Sequence, residues 1–378
     1  MAIVKRKYGA DFRREEVRRI FKTWQAGDAS SIVGVGSVGK SNLLRHIADE
    51  ATIRGQLGED SLSTRIIIVD ANLLGPLPSY DQPNSEQYRC WAGFELIMHR
   101  MFISLYPFSQ LSADDARRFY DAYQALQDGS NPLFAYMGVR YFELGLELFM
   151  RSGLKLVFLF DEFEEMLRQM PPKFFQMLRG LRDQRKGQLV FTTFSRSSIP
   201  TLVERMNIDA LAVEPFVELF ADNVIYIGPY NEQDGKNMLL SLAQRLNVTY
   251  NDLINGLVLT ATGRFAGLLR AAYSAIPDAQ TVDWEKQTAE TLGAWLVTQE
   301  SVRAECNSIW MGLNPSEQLV LKAATRMHTY SINKDTETAV TKLVQKKLLR
   351  VSKQPEHTLT VEPPVFRSFL LTNPDLGQ

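Results

Sequence analysis

The stretch that most constrains this chain is Gly34-Val35-Gly36-Ser37-Val38-Gly39-Lys40-Ser41. It reads Gly, four residues, Gly-Lys-Ser, with the apolar run Ser31-Ile32-Val33 before it and the amphipathic run Asn42-Leu43-Leu44-Arg45-His46-Ile47 after it. Strand, loop and helix in that order are the setting in which this spacing binds phosphate. The glycines let the backbone turn its N–H groups inward, so Gly34, Gly36, Ser37, Val38 and Gly39 are candidate phosphate contacts, continued by Lys40, Ser41 and Asn42 at the helix start. Lys40 adds a point charge, Ser41 offers a hydroxyl to Mg²⁺, and the helix N-terminus favours an anion. A chain with this unit is expected to build an α/β fold on a parallel sheet.

The remaining strands fit that sheet. Thr64–Asp70 and Leu154–Phe160 are short apolar runs of the kind buried on both faces. Gln188–Arg196 and Asn223–Ile227 complete five parallel-type strands separated by helical patterns, an open doubly covered sheet. The run over 154–160 ends in Asp161-Glu162. At the C-terminal tip of a central strand such carboxylates face a ligand. Asp161 is the candidate Mg²⁺ holder, directly or through water, and Glu162 the candidate general base on an attacking water. At the tip of the next strand, Thr193 or Ser195 is a candidate contact to that water or to a γ-phosphate, and Arg196 a candidate γ-phosphate contact.

Residues 11–25 read as an amphipathic helix with Phe12, Val17, Ile20, Phe21 and Trp24 on one face, placed to shelter a nucleotide base. The helix after the loop is expected to run to about Arg54. Helical patterns also cover Trp91–Tyr106, Ala113–Gln127 and Val139–Met150, with Gly129-Ser130-Asn131-Pro132 as a break. From Glu232 onward helices dominate: Asp234–Leu246, Tyr250–Thr260, Phe265–Ile276 and Trp284–Val297. Arg264 and Arg270 in this segment are candidate phosphate sensors. Residues 303–371 read as three helices followed by a hairpin, with Ser316 as the N-cap of the helix from Glu317. The expected domains are an N-terminal helix packing on the nucleotide site (1–29), a phosphate-loop domain (30–230), a helical lid (231–300) and a winged helix (301–378).

A chain of 378 residues is long enough for two or three domains. The net charge of −1 argues against a strongly basic nucleic-acid coat. Residues 317–367 are locally basic, with Lys322, Arg326, Lys334, Lys342, Lys346, Lys347, Arg350, Lys353 and Arg367 against five acidic residues. Such a balance permits contact with DNA phosphates. The two cysteines, Cys90 and Cys306, have neither metal-ligand nor disulfide-framework spacing. Residues 1–7 carry no apolar stretch of a signal peptide, and no run of about 18 apolar residues occurs. A cytoplasmic protein is expected.

Taken together, these motifs resemble the STAND class of AAA+-related P-loop ATPases, close to the archaeal-ATPase and origin-recognition-like branches. Phe12-Arg13-Arg14-Glu15-Glu16-Val17 is similar to the Phe-Gly-Arg-Glu box before the phosphate loop, with Arg13 where glycine is usual and Arg14 as the implied nucleotide contact. Phe158-Leu159-Phe160-Asp161-Glu162-Phe163-Glu164-Glu165 is similar to the acidic motif of bacterial STAND proteins. Thr192-Thr193-Phe194-Ser195-Arg196 resembles the strand whose trailing arginine senses the γ-phosphate. Gly263-Arg264-Phe265-Ala266-Gly267 sits where the family has a Gly-x-Pro-type lid motif, with Ala266 in place of proline.

The resemblance implies ATP/ADP and Mg²⁺ as ligands and a slow ATPase acting as a switch. In that switch ADP/ATP exchange drives domain opening and assembly with itself or a partner protein, in defence or signalling. The usual effector and repeat sensor are not expected within these residues, so a separate protein would supply them. A second reading stays open: a DNA-binding AAA+ initiator, loader or transposition regulator using its winged helix, with Lys346 and Lys347 as the contacts to test.

Overall fold

The computed structural model describes residues 8–128, 134–249, 251–276, 283–326, 334–352 and 358–373. The expectations made for residues 1–7, the Gly129–Pro132 break, Tyr250, Lys353 and Glu356 lie outside the described residues. Two compact units form. One is assembled from residues 14–33 and 44–225; the other joins residues 11–13 and 34–43 to the chain from Tyr226 onward. The phosphate loop therefore shares a unit with the C-terminal helices, whereas the sequence reading divided the chain into consecutive blocks.

In the first unit, α1 (Arg14–Ala26) leads into β1 (Ser30–Val33), and α2 (Lys40–Ile47) follows the loop. The helix expected to continue to Arg54 is broken. Asp49 accepts from the Thr52 amide and starts a second helix, α3 (Glu50–Leu57). Next come β2 (Thr64–Asp70), α4 (Ser85–Leu105), α5 (Ala113–Gln127), α6 (Phe134–Arg151) and β3 (Lys155–Asp161). The unit is completed by α7 (Phe163–Gln169), α8 (Pro172–Gln184), β4 (Leu189–Ser195), α9 (Ile199–Arg205), α10 (Ala210–Val217) and β5 (Val224–Tyr226).

The sheet has five strands in the order β2-β3-β4-β1-β5, so β4 lies between the loop strand and the acidic strand. The β2–β3, β3–β4 and β1–β4 pairs are parallel, with Asp70 opposite Asp161. Every residue of β4 is buried, as expected of a central strand covered on both faces. On one side Phe94, Phe119, Phe142, Phe149 and Phe158 pack into one apolar core. On the other, α1 packs on the sheet as its periodicity predicts, burying Val17, Ile20, Phe21 and Trp24. The Trp24 indole N–H donates to the Thr192 hydroxyl at 2.9 Å, and that oxygen lies 3.1 Å from Ser30 Oγ. A polar pair inside an apolar sheet is tolerable because its members satisfy each other.

The second unit takes α11 (Glu232–Leu246), α12 (Asp252–Ala261), α13 (Ala266–Ala275), α14 (Ala289–Leu296) and α15 (Glu300–Met311). It ends with α16 (Pro315–Arg326), α17 (Lys334–Gln345), the antiparallel hairpin β6 (Leu349–Ser352) and β7 (Thr358–Val361), and α18 (Pro364–Thr372). The hairpin falls where the sequence reading put it. The last helix was not anticipated, because Pro363-Pro364 looks like a terminator yet proline is well suited to a first helical turn. The cap of α16 is Asn314 and not Ser316. Asn314 Oδ1 accepts from the Glu317 amide at 2.8 Å, and Glu317 Oε2 accepts from the Asn314 amide at 2.9 Å. Among the described residues, no helix is long and apolar enough to cross a membrane.

Candidate functional site

The candidate residues fall into two clusters, one in each unit. In the first unit they gather at the C-terminal edge of the sheet. Asp161 closes β3 and accepts from the Glu162 amide at 3.0 Å. Glu162 adopts a left-handed conformation, φ 45° and ψ 48°, as it enters α7. Non-glycine residues in that region are uncommon and concentrate where the backbone must turn a side chain to a set direction. Arg196, just past β4, lies between two carboxylates: its Nη2 is 3.7 Å from Glu162 Oε2 and its Nε is 3.5 Å from Glu164 Oε1. Glu164 is buried.

Thr193 and Ser195 are placed differently from the sequence expectation. Both are buried within β4, where Thr193 donates to Ser31 Oγ at 3.1 Å and Ser195 donates to the Ser197 carbonyl at 2.7 Å. Their hydroxyls brace the sheet and its following turn. Asp70 was missed. It ends β2 beside Asp161, its carboxylate accepting from the Asn72 amide at 3.0 Å. The signal was present, since an apolar run ending in aspartate occurs there as it does at Asp161.

In the second unit the phosphate loop turns through Ser37 (φ 63°) and Gly39 (φ 94°) into the first residues of α2. Lys40 Nζ reaches back along the loop, donating to the Gly34 carbonyl at 2.7 Å and to the Val35 carbonyl at 3.3 Å. Ser41 is exposed. A side chain on Gly39 would come within 3.0 Å of the Tyr230 hydroxyl and 3.1 Å of Ala266 Cβ, so glycine is required there. Asn42 Nδ2 donates to that same Tyr230 hydroxyl at 2.8 Å. Burial raises the phenol pKa above its usual value, against a smaller lowering from the Asn42 hydrogen bond.

The crown of the loop is covered. The Ser37 hydroxyl donates to the Glu305 carboxylate of α15. The Ser37 carbonyl accepts from the Gly267 amide of α13 at 2.8 Å. A methyl group on Gly36 would sit 2.5 Å from Ser308 Oγ and 2.7 Å from its carbonyl oxygen. Arg270 pairs with Glu305 at 2.8 Å, and Arg264 lines a cleft of about 520 Å³ with Glu232, Lys236 and Asn255. Arg14, the implied nucleotide contact, is exposed on α1, whereas Arg13 is buried. Arg13 has φ 46°, a conformation that glycine adopts freely.

The C-terminal cations also separate. Lys346 is buried and forms a 2.6 Å ion pair with Glu317. Arg350 pairs with Glu362 at 3.2 Å, and Lys347 is exposed.

No family model matches this chain, and no curated protein matches it. Among solved structures it is similar to the Walker-type ATPase PABY2304 of Pyrococcus abyssi, at 14% identity over 95% of both chains with a TM-score of 0.52. Looser likenesses, each at 12% identity, are to ORC2 of Aeropyrum pernix (TM-score 0.48, 96% of this chain and 93% of the other) and to Cdc6p of Pyrobaculum aerophilum (TM-score 0.42, 98% and 97%). The first likeness shows that the chain has the fold of a Walker-type ATPase.

Proposed function

We propose that this protein is an ATP-binding, slowly hydrolysing switch of the STAND type, in which exchange of ADP for ATP opens the arrangement around the phosphate loop. Opening would permit assembly with itself or with a partner protein. The observation that carries the reading is the cover on the loop crown: Glu305 on Ser37 and Ser308 against Gly36. A carboxylate at a loop built for anions opposes each added phosphate charge, so ligands of different charge select different arrangements. That differential contact is what a switch needs.

The residues fit nucleotide. The loop has its glycines at the crowded and left-handed positions, Lys40 beside the loop carbonyls, and an exposed hydroxyl on Ser41. Lys40 and the amides of residues 36–42 would hold phosphate oxygens. Ser41 and Asp161 would hold Mg²⁺, whose chemistry is to neutralise charge on the phosphates. Glu162 would orient water and accept its proton. Arg196 would exchange its carboxylate partner for a γ-phosphate, releasing Glu162. Arg270, engaged with Glu305, would report the state of the loop crown. The structural likeness to a Walker-type ATPase supports the nucleotide-binding part of this reading at the level of fold.

The test begins with protein denatured as purified and its released nucleotide identified by chromatography. Stoichiometric ADP supports the closed switch. Lys40→Ala is expected to abolish nucleotide binding and Glu162→Gln to trap ATP; normal turnover in Glu162→Gln would remove Glu162 from its role. The second reading, a DNA-binding loader using a winged helix, finds support in exposed Arg326 and Lys347 and none in Lys346, whose ammonium group faces inward. Duplex binding that weakens with salt and with Lys347→Glu would favour it.

A further inference from the structure

Arg13 holds one of the most enclosed side chains in the protein, at 2% exposure. A buried guanidinium needs partners, and those of Arg13 include groups from two separate places in the chain. Its Nη2 donates to the Val38 carbonyl in the phosphate loop at 2.7 Å and to the Gly228 carbonyl, where the chain leaves β5 for α11, at 2.8 Å. Its own backbone amide donates to Asp234 Oδ2 at 3.1 Å, in the first turn of α11. Its guanidinium carbon lies 4.8 Å from the centre of the Tyr230 ring, and Tyr230 in turn receives Asn42 on its hydroxyl.

The consequence follows from peptide geometry. In a trans peptide the carbonyl and the next N–H point in opposite directions. A cation drawing the Val38 carbonyl to one side therefore aims the Gly39 N–H to the other and strengthens that dipole. Gly39 is the last glycine of the loop, one of the positions whose amides face phosphate in the proposed function. The same nitrogen holds Gly228, so the direction of the loop amide and the position of the lid entry are fixed by one group.

We propose that Arg13 is a positioning residue for phosphate binding: it aims the Gly39 amide and couples the loop to the lid through Gly228 and Asp234. The proposal rests on the nucleotide-binding reading and goes beyond it, because it assigns the role to Arg13 and to a carbonyl, where the resemblance implied Arg14. A lysine does not reproduce it: Nη2 reaches both carbonyls while the planar guanidinium lies over the Tyr230 ring, a stacking that a compact ammonium does not offer.

The test is ADP affinity by calorimetry for the wild type, Arg13→Gly, Arg13→Lys and Arg18→Ala, the last an exposed arginine of α1. Glycine suits the left-handed backbone at this position, so Arg13→Gly removes the fork without adding strain. The expected result is a loss of about 10- to 100-fold in Arg13→Gly and Arg13→Lys, the range for a charged hydrogen bond, with Arg18→Ala unchanged. Methylguanidinium added to Arg13→Gly is expected to restore most of the affinity, a rescue that a merely space-filling role would not show. Wild-type affinity in Arg13→Gly overturns the proposal, as does failure of rescue in a folded variant. Should Arg13→Gly not fold, wild-type affinity in Arg13→Lys overturns it equally. A wild type that binds no ADP removes the nucleotide reading itself, and the proposal with it, an outcome separate from the other two.

Discussion

Lys346 offers a perturbation whose size can be worked out from its surroundings. Its ammonium group lies 2.6 Å from Glu317 Oε1, with 7% of the lysine side chain and 1% of the glutamate side chain exposed. The other carboxylate oxygen of Glu317 is already engaged with the Asn314 amide. Lys346→Met keeps the length and apolar stem of the side chain but strands a buried charge. Breaking one partner of such a pair costs about 3–5 kcal/mol. An exposed substitution nearby, Lys347→Met, should change stability by no more than about 0.5 kcal/mol.

A chain of two units need not unfold in one step, so the readout should be local. Hydrogen exchange of the α16 and α17 amides serves: opening should become about 10²- to 10⁴-fold more frequent in Lys346→Met. Glu317→Leu combined with Lys346→Met should recover most of the loss, because a matched apolar pair leaves no stranded charge. Unchanged exchange in Lys346→Met, with DNA affinity lost instead, would refute the assignment and return Lys346 to the DNA-binding reading.

Further outcomes follow from the loop and the sheet. Glu305→Gln removes one negative charge beside Ser37; at roughly 8 Å and an effective dielectric of about 40, each phosphate charge is relieved of about 1 kcal/mol. ADP binding measured by calorimetry should tighten at least fivefold, and weaker binding would contradict the proposed cover. Gly36→Ala should push α15 away, since the new methyl group would meet Ser308 at 2.5 Å. Cys306, buried in α15 with its thiol pKa raised chiefly by desolvation, should then react with alkylating reagents where the wild type does not. Equal labelling of both would contradict it. Trp24→Phe leaves the Thr192 hydroxyl without its indole donor inside the sheet. A loss of about 1–3 kcal/mol is expected in denaturant unfolding of the first unit, and no loss would show that Ser30 alone satisfies Thr192.

Much of the fold was legible because its signals are local. The strands declare themselves as apolar runs, and Ala113–Gln127 was bounded correctly by Ser112, which caps α5 by accepting from the Asp115 amide. What escaped notice was set by pairing across the chain. Nothing near Lys346 in sequence shows that Glu317 lies opposite it, so a lysine in a basic helix read as exposed. Thr193 and Ser195 looked like ligand contacts because they are polar residues at the tip of an apolar strand, while hydrogen bonds to Ser31 and Ser197 draw both hydroxyls inward. The Arg13–Arg14 pair shows the limit best. A motif can mark that an arginine matters there, but a left-handed turn at Arg13 decides which of the two enters the protein.

The bond from Ser37 to Glu305 joins residues 268 positions apart. A ribosome adding roughly 5–20 residues each second therefore delivers the glutamate some 15–50 seconds after the loop. Throughout that interval the nascent loop has its glycines, its lysine and its helix start, but no carboxylate at its crown. A ligand that bound the open loop during synthesis would be sealed in as the last helices close. On the proposed nucleotide-binding reading, the occupant of a newly made molecule would reflect the nucleotide pool at its birth, and later exchange would have to reopen what translation finished last.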